Sequence, residues 1–168
     1  MPEHPDPERP TPDRPTPEHR VTIRVAGQRD TGAIVPLLGQ LGYPTSALEL
    51  GVRLERLADH PDAEVLVAEL DGEVVGVAAY QLIDLLERPD PQCRITALVV
   101  DDRYRRRGVA YALLHTIEDC ARDAGCFRVE VTTRAERADA LAFYRAAGFD
   151  QRPHRLTKPL EHDTLADL

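Results

Sequence analysis

Residues 95–124 have the sequence ITALVVDDRYRRRGVAYALLHTIEDCARDA, and this stretch decides the fold of the chain. Its first six residues, Ile95 to Val100, are mostly β-branched and apolar, which predicts a largely buried strand. From Val109 onward, apolar residues recur with the period of a helix, and Gly125 stands where a helix commonly ends. The apolar stripe comprises Ala110, Leu114, Ile117, Ala121 and Ala124. The stretch therefore predicts a buried strand, a polar turn and an amphipathic helix.

The turn between this strand and this helix is basic and carries one glycine. Four arginines, at positions 103, 105, 106 and 107, precede Gly108. The first backbone N–H groups of a helix have no intrahelical partner and lie at the positive end of its dipole, which favours phosphate. Gly108 would let a phosphate approach the backbone, and the arginines would add charge-assisted hydrogen bonds. A solvated basic loop is the alternative, but the position between a buried strand and an amphipathic helix favours a phosphate site.

The glycine pattern separates this turn from two common phosphate-binding motifs. It lacks the Gly-Lys-Ser/Thr ending of a P-loop and the G-x-G-x-x-G pattern of dinucleotide-binding folds. The stretch Arg105–Ala110, RRRGVA, instead resembles the R/Q-x-x-G-x-G/A signature of the GNAT superfamily of N-acetyltransferases. In that superfamily the turn holds the diphosphate of acetyl-coenzyme A (acetyl-CoA). The resemblance implies that the turn binds this co-substrate through Arg105, Arg106, Arg107, Gly108, Val109 and Ala110.

The resemblance also gives the strand before the turn a role. In the family the pantetheine arm of acetyl-CoA pairs with the backbone of this strand. The strand splays from its neighbour, which here is the strand that starts at Phe127. The implied contacts come from Leu98, Val99 and Val100, mainly through their backbone groups. Because side chains alternate between the two faces of a strand, these residues are also expected in the core.

A second motif lies near the end of the chain. Arg137–Tyr144, RADALAFY, followed by Gly148-Phe149, resembles the R-x-D/E-A-x-x-F-Y-x-x-x-G-F block of many small bacterial GNAT members. The resemblance implies that Tyr144 is the general acid, since a tyrosine of pKa about 10 can protonate a thiolate of pKa about 8.5. A core aromatic is the alternative. Adjacent Phe143, about 100° away on a helix, is the better core candidate.

The general base of the reaction does not follow from the sequence. Many family members carry a glutamate on the central strand two residues before the position of Leu98, where this chain has Thr96. A threonine cannot act as a base at neutral pH, although it could position a water. Asp84, Glu87 and His60 lie in predicted loops that could reach the cleft, yet each is more often a solvated polar residue. A water chain or a low-pKa acceptor is the remaining alternative.

The rest of the chain predicts strands and helices in an order typical of an α+β sheet. Local signals are an N-cap at Asp30 before a helix that includes Pro36, a capping box at Ser46 and Glu49, and an Asp71-Gly72 hairpin turn. Further elements are predicted at 21–25, 127–133, 138–147 and 154–160. The order resembles the GNAT fold, a mixed, mostly antiparallel sheet splayed in the middle and flanked by about four helices. The closing residues 157–160, TKPL, are similar to the final strand of the same subgroup.

Composition divides the chain into three parts. Residues 1–20 form a proline-rich pentapeptide repeat that offers little for burial, which predicts a disordered tail. Residues 21–160 are predicted to form the acetyltransferase domain, and the acidic residues 161–168 a frayed tail. The chain has 168 residues, and its formal net charge is −8, which argues against a general nucleic-acid binder. Three cysteines, Cys93, Cys120 and Cys126, lack the paired spacing of metal sites and are expected to be reduced.

These patterns predict an acetyl-CoA-dependent N-acetyltransferase that acts on a primary amine of a small molecule, by direct attack on the thioester in a ternary complex. Peptide or protein amino groups are the second acceptor class, and a noncatalytic regulatory module that binds coenzyme A is the main rival. No apolar run has membrane-spanning length and no signal peptide is evident, so a cytoplasmic protein without a membrane partner is expected. The oligomeric state stays open, with a homodimer as one option.

Overall fold

A mixed β-sheet lies at the centre of the computed structural model, which describes residues 20–133, 137–152, 156–158 and 160. Within these residues the sheet has five strands in the order β1-β2-β3-β4-β5. They are β1 (Val21–Val25), β2 (Ala63–Leu70), β3 (Glu73–Ile83), β4 (Gln92–Val100) and β5 (Val129–Val131). Neighbouring strands are antiparallel except β4 and β5, which are parallel. The predicted α+β class with a mixed, mostly antiparallel sheet is confirmed.

The described part of the chain contains four α-helices. They are α1 (Thr31–Leu41), α2 (Ala47–Ala58), α3 (Val109–Asp123) and α4 (Ala138–Ala146). The chain divides into two compact units after Val131, and α4 belongs to the second unit. None of the described helices is long and apolar enough to cross a membrane.

Local sequence signals account for most helix ends. At the start of α2, Ser46 accepts a hydrogen bond from the Glu49 backbone N–H, and Glu49 accepts one from the Ser46 backbone N–H, as the capping box predicts. Gly125, just beyond α3, has a φ of 75° and ends the helix in the left-handed region. Asp30 precedes α1 as predicted, but its side chain makes no capping bond to the helix. Helix α1 begins at Thr31 and includes Pro36, as predicted.

Asp30 instead forms a part-buried ion pair with Arg24. Its carboxylate accepts two hydrogen bonds from the Arg24 guanidinium at 2.8 and 2.7 Å, and a third from the Gly27 backbone N–H at 2.8 Å. Arg24 also donates to Glu69 of β2 at 2.6 Å. The Arg24 hydrogen bonds lower the pKa of Asp30, so the carboxylate is charged at neutral pH. This network ties β1 and β2 to the start of α1.

The two faces of the sheet carry different helices. A buried cluster on one face combines residues of α1, α2 and three strands: Ile34, Leu37, Leu50, Leu54, Val67, Val77 and Val99. Gly76, next to Val77 on β3, points to the opposite face. A Cβ added at Gly76 would lie 3.2 Å from side-chain carbons of both Val109 and Leu113. The glycine therefore lets the first turns of α3 approach the sheet closely.

Strand β4 has an antiparallel neighbour, β3, on one side and a parallel neighbour, β5, on the other. The β4–β5 ladder pairs Cys93, Arg94 and Ile95 with Val129, Glu130 and Val131, while β4 itself continues to Val100. This arrangement agrees with the predicted splay in the middle of the sheet. Strand β5 is shorter than the predicted 127–133. On the other side of β4, the register between β4 and β3 shifts after Ala79. This shift makes Thr96 the extra residue of a β-bulge.

The ends of the chain give less to compare. The predicted repeat at 1–20 lies outside the described residues except for Arg20, and the tail at 161–168 lies outside them entirely. In the predicted last strand at 154–160, the described residues 156–158 and 160 are not in a strand. Cys93, Cys120 and Cys126 are free thiols, as expected, and burial raises the pKa of Cys93 to about 12.

Candidate active site

The basic turn begins directly after β4 with a buried carboxylate. Asp101 is 9% exposed, and its Oδ1 accepts hydrogen bonds from the Arg103 backbone N–H at 2.9 Å and from Arg103 Nε at 3.1 Å. Its Oδ2 accepts a further bond from Arg103 Nη2 at 2.9 Å. These bonds lower the pKa of Asp101 below its ordinary value. Arg103 therefore serves to hold the turn together.

The other three arginines of the turn are exposed to solvent. Arg105 forms an ion pair with Asp102, with 2.5 Å between Nη2 and Oδ1. The guanidinium carbon of Arg107 lies 5.3 Å from the centroid of the Tyr104 ring, within the range of a cation–π contact. Arg106 has a φ of 60°, in the left-handed region that non-glycine residues seldom adopt. The three predicted phosphate ligands thus lie together, but in different environments.

Gly108 joins these arginines to helix α3. It has a φ of 78°, and a Cβ built on it would meet no described atom beyond its chain neighbours within 4 Å. Its carbonyl accepts the hydrogen bond of the Ala112 N–H at 3.0 Å, which is the first turn of the helix. The N–H groups of Val109 and Ala110 precede this bond and have no intrahelical acceptor. Open space at a glycine, next to a helix N-terminus and exposed arginines, suits a phosphate group.

At the end of β4, the strand that leads into the turn, most side chains lie in the core. Val99 and Val100 are buried, and Leu98 is half-buried. On one side their backbone pairs with β3, at Val77, Gly76 and Ala78 respectively. On the other side all three lie beyond Ile95, the last β4 residue in the ladder with β5. Their contact with a pantetheine arm stays a prediction.

Tyr144 lies on α4 in the second unit. It is 7% exposed, and its ring makes edge-on contacts with Phe143 and Phe149, at centroid distances of 5.1 and 5.3 Å. Phe143 is only half-buried, so the expectation that Phe143 would be the better core residue is wrong. Burial raises the pKa of Tyr144 to about 12, so the hydroxyl is protonated at neutral pH.

Comparison with known proteins decides the family. The model of the acetyltransferase (GNAT) family matches residues 38–149, which is more than half of the chain. This chain belongs to the GNAT acetyltransferase family. Its basic turn, strands β2 to β5 and Tyr144 all fall within the matched range.

Curated relatives extend over most of this acetyltransferase. An L-amino acid N-acetyltransferase from Escherichia coli is 34% identical, with 77% of this chain and 83% of the relative covered. An aminoglycoside N(6')-acetyltransferase type 1 from Stenotrophomonas maltophilia is 33% identical, with 77% and 86% covered. Both relatives are N-acetyltransferases, and the chain is an N-acetyltransferase of the same family.

Solved structures share the fold at lower identity. An aminoglycoside N-acetyltransferase, AAC(6')-Iy in complex with CoA, superposes with a TM-score of 0.75 at 19% identity, covering 84% of this chain and 95% of that one. A transcriptional regulator from Bacillus halodurans gives 0.76 at 24% identity, covering 84% and 100%. These similarities confirm the GNAT fold.

The candidate bases of the acetyltransferase are poorly suited to the role in the described structure. Thr96 is exposed at the β-bulge, and its hydroxyl donates to the Ala79 carbonyl at 3.2 Å. The Nδ1 atom of His60 accepts a hydrogen bond from the Asp62 backbone N–H at 3.1 Å. Asp84 and Glu87 are exposed in the loop between β3 and β4. None of these four side chains is assigned as the base.

Three residues of the site gave no signal in the sequence. Glu73, Asp101 and Tyr104 are joined to the arginines of the turn by hydrogen bonds or ring contacts. Glu73 and Tyr104 are 31 positions apart, and no periodicity or motif links them. Only the pairing of β3 with β4 brings the start of one strand next to the end of the other.

Proposed function

We propose that this acetyltransferase transfers the acetyl group of acetyl-CoA to a primary amine of a small molecule, by direct attack of the amine on the thioester in a ternary complex. The observation that carries the proposal is the turn at Arg105–Ala110, where exposed arginines surround an open glycine at a helix N-terminus. A diphosphate would fit this turn, because it needs cationic donors and free backbone N–H groups. The two curated relatives described above are named for small amine acceptors, which supports the acceptor class.

Acetyl-CoA would be held by groups of this chain in two places. Arg105, Arg106 and Arg107, with the N–H groups of Val109 and Ala110, bind the diphosphate, and Gly108 gives it room. The backbone of Leu98, Val99 and Val100 pairs with the pantetheine arm, and an N–H group of this strand polarises the thioester carbonyl. Holding both reactants in this way supplies much of the rate acceleration.

The reaction forms a carbon–nitrogen bond, breaks a carbon–sulfur bond and moves two protons. The amine nitrogen attacks the acetyl carbon, the carbon–sulfur bond of the thioester breaks, and the product is an amide plus coenzyme A. The acceptor must be neutral to attack, and an amine with a pKa of about 10.4 is only about one thousandth neutral at pH 7.4. No residue of this chain is assigned as the base, and the two alternatives are a water chain that carries the amine proton to solvent and an acceptor amine of low pKa. The thiolate takes its proton from Tyr144.

The high pKa of Tyr144 sets an energetic condition on this role. The Tyr144 hydroxyl has a pKa of about 12 and the thiol of coenzyme A a pKa of about 8.5. Proton transfer from Tyr144 to the thiolate therefore has an unfavourable free energy of about 5 kcal/mol. A turnover of about 10 per second corresponds to a barrier of about 16 kcal/mol. The transfer therefore fits within an ordinary catalytic barrier, and the hydroxyl reaches the reaction fully protonated.

Tyr144→Phe tests the proposal and separates an enzyme from a binding module. The variant removes one hydroxyl and keeps the ring contacts with Phe143 and Phe149. Loss of a general acid lowers kcat by about 10²- to 10⁴-fold. The Kd for coenzyme A, measured by calorimetry, should stay within about twofold, because the phosphates are bound by other residues. Turnover is measured as acetyl-CoA-dependent thiol release with a panel of amino acids, aminoglycosides and peptides.

Phe149→Leu is the matched control, since it disturbs the packing of the Tyr144 ring and leaves the hydroxyl in place. It should lower Tm more than Tyr144→Phe does and lower kcat much less. If Tyr144→Phe keeps more than half of the parental kcat, Tyr144 is a packing residue. Turnover with peptides alone would move the acceptor to the second class. Tight binding of acetyl-CoA without turnover of any amine would favour the regulatory module.

A further inference from the structure

The start of β3 contacts the basic turn at two points. The Tyr104 hydroxyl donates a hydrogen bond to Glu73 Oε2 at 2.8 Å. Arg103 Nη2 lies 3.4 Å from Glu73 Oε1. The Glu73 hydrogen bond raises the pKa of Tyr104, which keeps the hydroxyl a donor. One carboxylate thus binds two side chains of the turn that follows β4.

The ring of Tyr104 also contacts two arginines of the turn. The guanidinium carbons of Arg103 and Arg107 lie 5.4 and 5.3 Å from its centroid. Arg103 is fixed independently by Asp101, which accepts its backbone and side-chain hydrogen bonds. Tyr104 is therefore held at its hydroxyl by Glu73 and at its ring by Arg103. Arg107, whose side chain would otherwise sample many rotamers in solvent, rests on a fixed ring.

We propose that Glu73 and Tyr104 form a brace that positions Arg107 for the diphosphate of acetyl-CoA. The proposal rests on the proposed function, since it needs a diphosphate in the turn. Both are positioning residues and act through Arg107. Arg105 is engaged differently, in its ion pair with Asp102. The brace therefore assigns separate tasks to neighbouring arginines of the motif.

The exposure of the brace argues against a role in folding stability. The side chains of Glu73 and Arg103 are 54% and 69% exposed, and exposed ion pairs contribute little to stability. Pre-orienting a long side chain raises ligand affinity, because the oriented donor loses less conformational freedom when the ligand binds. The brace should therefore affect donor affinity much more than Tm.

The experiment compares two acyl donors on the parent and three variants. Acetyl-CoA carries the diphosphate, and S-acetylpantetheine presents the same thioester without it. Tyr104→Phe keeps the ring and loses the bond to Glu73, and Glu73→Gln loses the charge; each should raise the KM for acetyl-CoA about 2- to 10-fold. Tyr104→Leu also loses the ring and should raise it about 10-fold or more. The kcat with acetyl-CoA should stay within about twofold of the parental value. The kcat and KM with S-acetylpantetheine should do the same.

A double-mutant cycle tests whether the brace acts through Arg107. If it does, Tyr104→Leu should add little to the acetyl-CoA KM of Arg107→Ala, because the group it positions is already gone. Glu55→Gln on α2 makes the same charge change as Glu73→Gln and should leave the KM unchanged.

Three outcomes would overturn the brace while the parent still binds acetyl-CoA. They are unchanged KM values in the Tyr104 variants, equal losses with both donors, and losses that add in the cycle. A parent that fails to bind acetyl-CoA would instead overturn the proposed function. Thermal melts of each variant check that a raised KM does not come from unfolding.

Discussion

Two turns of this acetyltransferase have similar backbones and different origins. In the part of the chain that the structure describes, two non-glycine residues have a positive φ, Asp71 at 53° and Arg106 at 60°. Each is followed closely by a glycine with a positive φ, Gly72 at 83° and Gly108 at 78°. The first pair makes the β2–β3 hairpin, and the second lies in the basic turn between β4 and α3.

The difference lies in what stabilises the left-handed residue. Asp-Gly is a preferred pair for two-residue hairpin turns, because aspartate tolerates this conformation and glycine has no Cβ. Arginine has no such local preference, and the conformation costs a non-glycine residue about 1–2 kcal/mol. The surrounding contacts, including the Asp101–Arg103 bonds, must hold the basic turn in place. Strain of this kind tends to occur at functional sites, as the proposed phosphate site is.

Gly108→Asp and Gly72→Asp should show the largest difference between the two turns. Both positions have a positive φ, and neither added Cβ would meet a described non-neighbouring atom within 4 Å, so the stability costs should be similar. At position 108 the new carboxylate would enter the proposed phosphate site, where repulsion between two unit charges at about 4 Å is worth about 1–4 kcal/mol. Calorimetry should show coenzyme A binding weakened at least about 100-fold in Gly108→Asp and unchanged in Gly72→Asp. Equal affinity in the two variants would contradict the phosphate site.

Arg106→Gly and Asp71→Gly should give an intermediate contrast. Each variant relieves a left-handed non-glycine residue and adds chain entropy to the unfolded state, so stability should change by less than about 1 kcal/mol. Arg106→Gly also removes an exposed cation from the proposed site and should weaken coenzyme A binding about three- to fivefold. Asp71→Gly should leave that affinity unchanged. Chemical denaturation and calorimetry on the same samples provide both numbers.

If Arg106→Gly bound coenzyme A as tightly as the parent, Arg106 would drop out of the proposed ligands. The remaining candidates among the arginines would then be Arg105 and Arg107. If instead Asp71→Gly weakened binding equally, the hairpin would belong to the site, and the contrast between the turns would be wrong.

The smallest expected effect is the acid dependence of the stability that Asp101 contributes to the basic turn. Because Arg103 lowers the pKa of Asp101, the unfolded chain takes up the proton first as the pH falls. The stabilisation is therefore complete above pH about 4 and is lost as the pH falls through the lowered native pKa. Asp101→Asn should be less stable than the parent at neutral pH and show a shallower loss of Tm below pH about 4.

Asp90→Asn is the control for this measurement, since it removes the same charge from an exposed residue of the loop between β3 and β4. Its Tm should follow the parental curve. Parallel curves for the parent and Asp101→Asn would show that Asp101 contributes no acid-sensitive stability.

Most elements of the fold follow from short-range sequence signals. The apolar period of 95–124, the capping box at Ser46, the Asp71-Gly72 turn and the glycines after α3 and α4 each act within a few residues. Such signals are legible in a sequence because backbone propensity and capping are local properties. The motif at Arg105–Ala110 marked the place of the candidate site for the same reason, since its strand, turn and helix are contiguous.

Tertiary structure decided what each of these residues does. It paired Arg103 with Asp101, Arg105 with Asp102, and Tyr104 with a glutamate 31 positions away. It buried Tyr144 more deeply than Phe143, and it placed Thr96 in a β-bulge. These outcomes depend on strand register and on packing between distant segments, which no local pattern encodes. The sequence by itself therefore determined where the proposed phosphate site lies, and the tertiary structure decided which contacts hold each arginine of that turn.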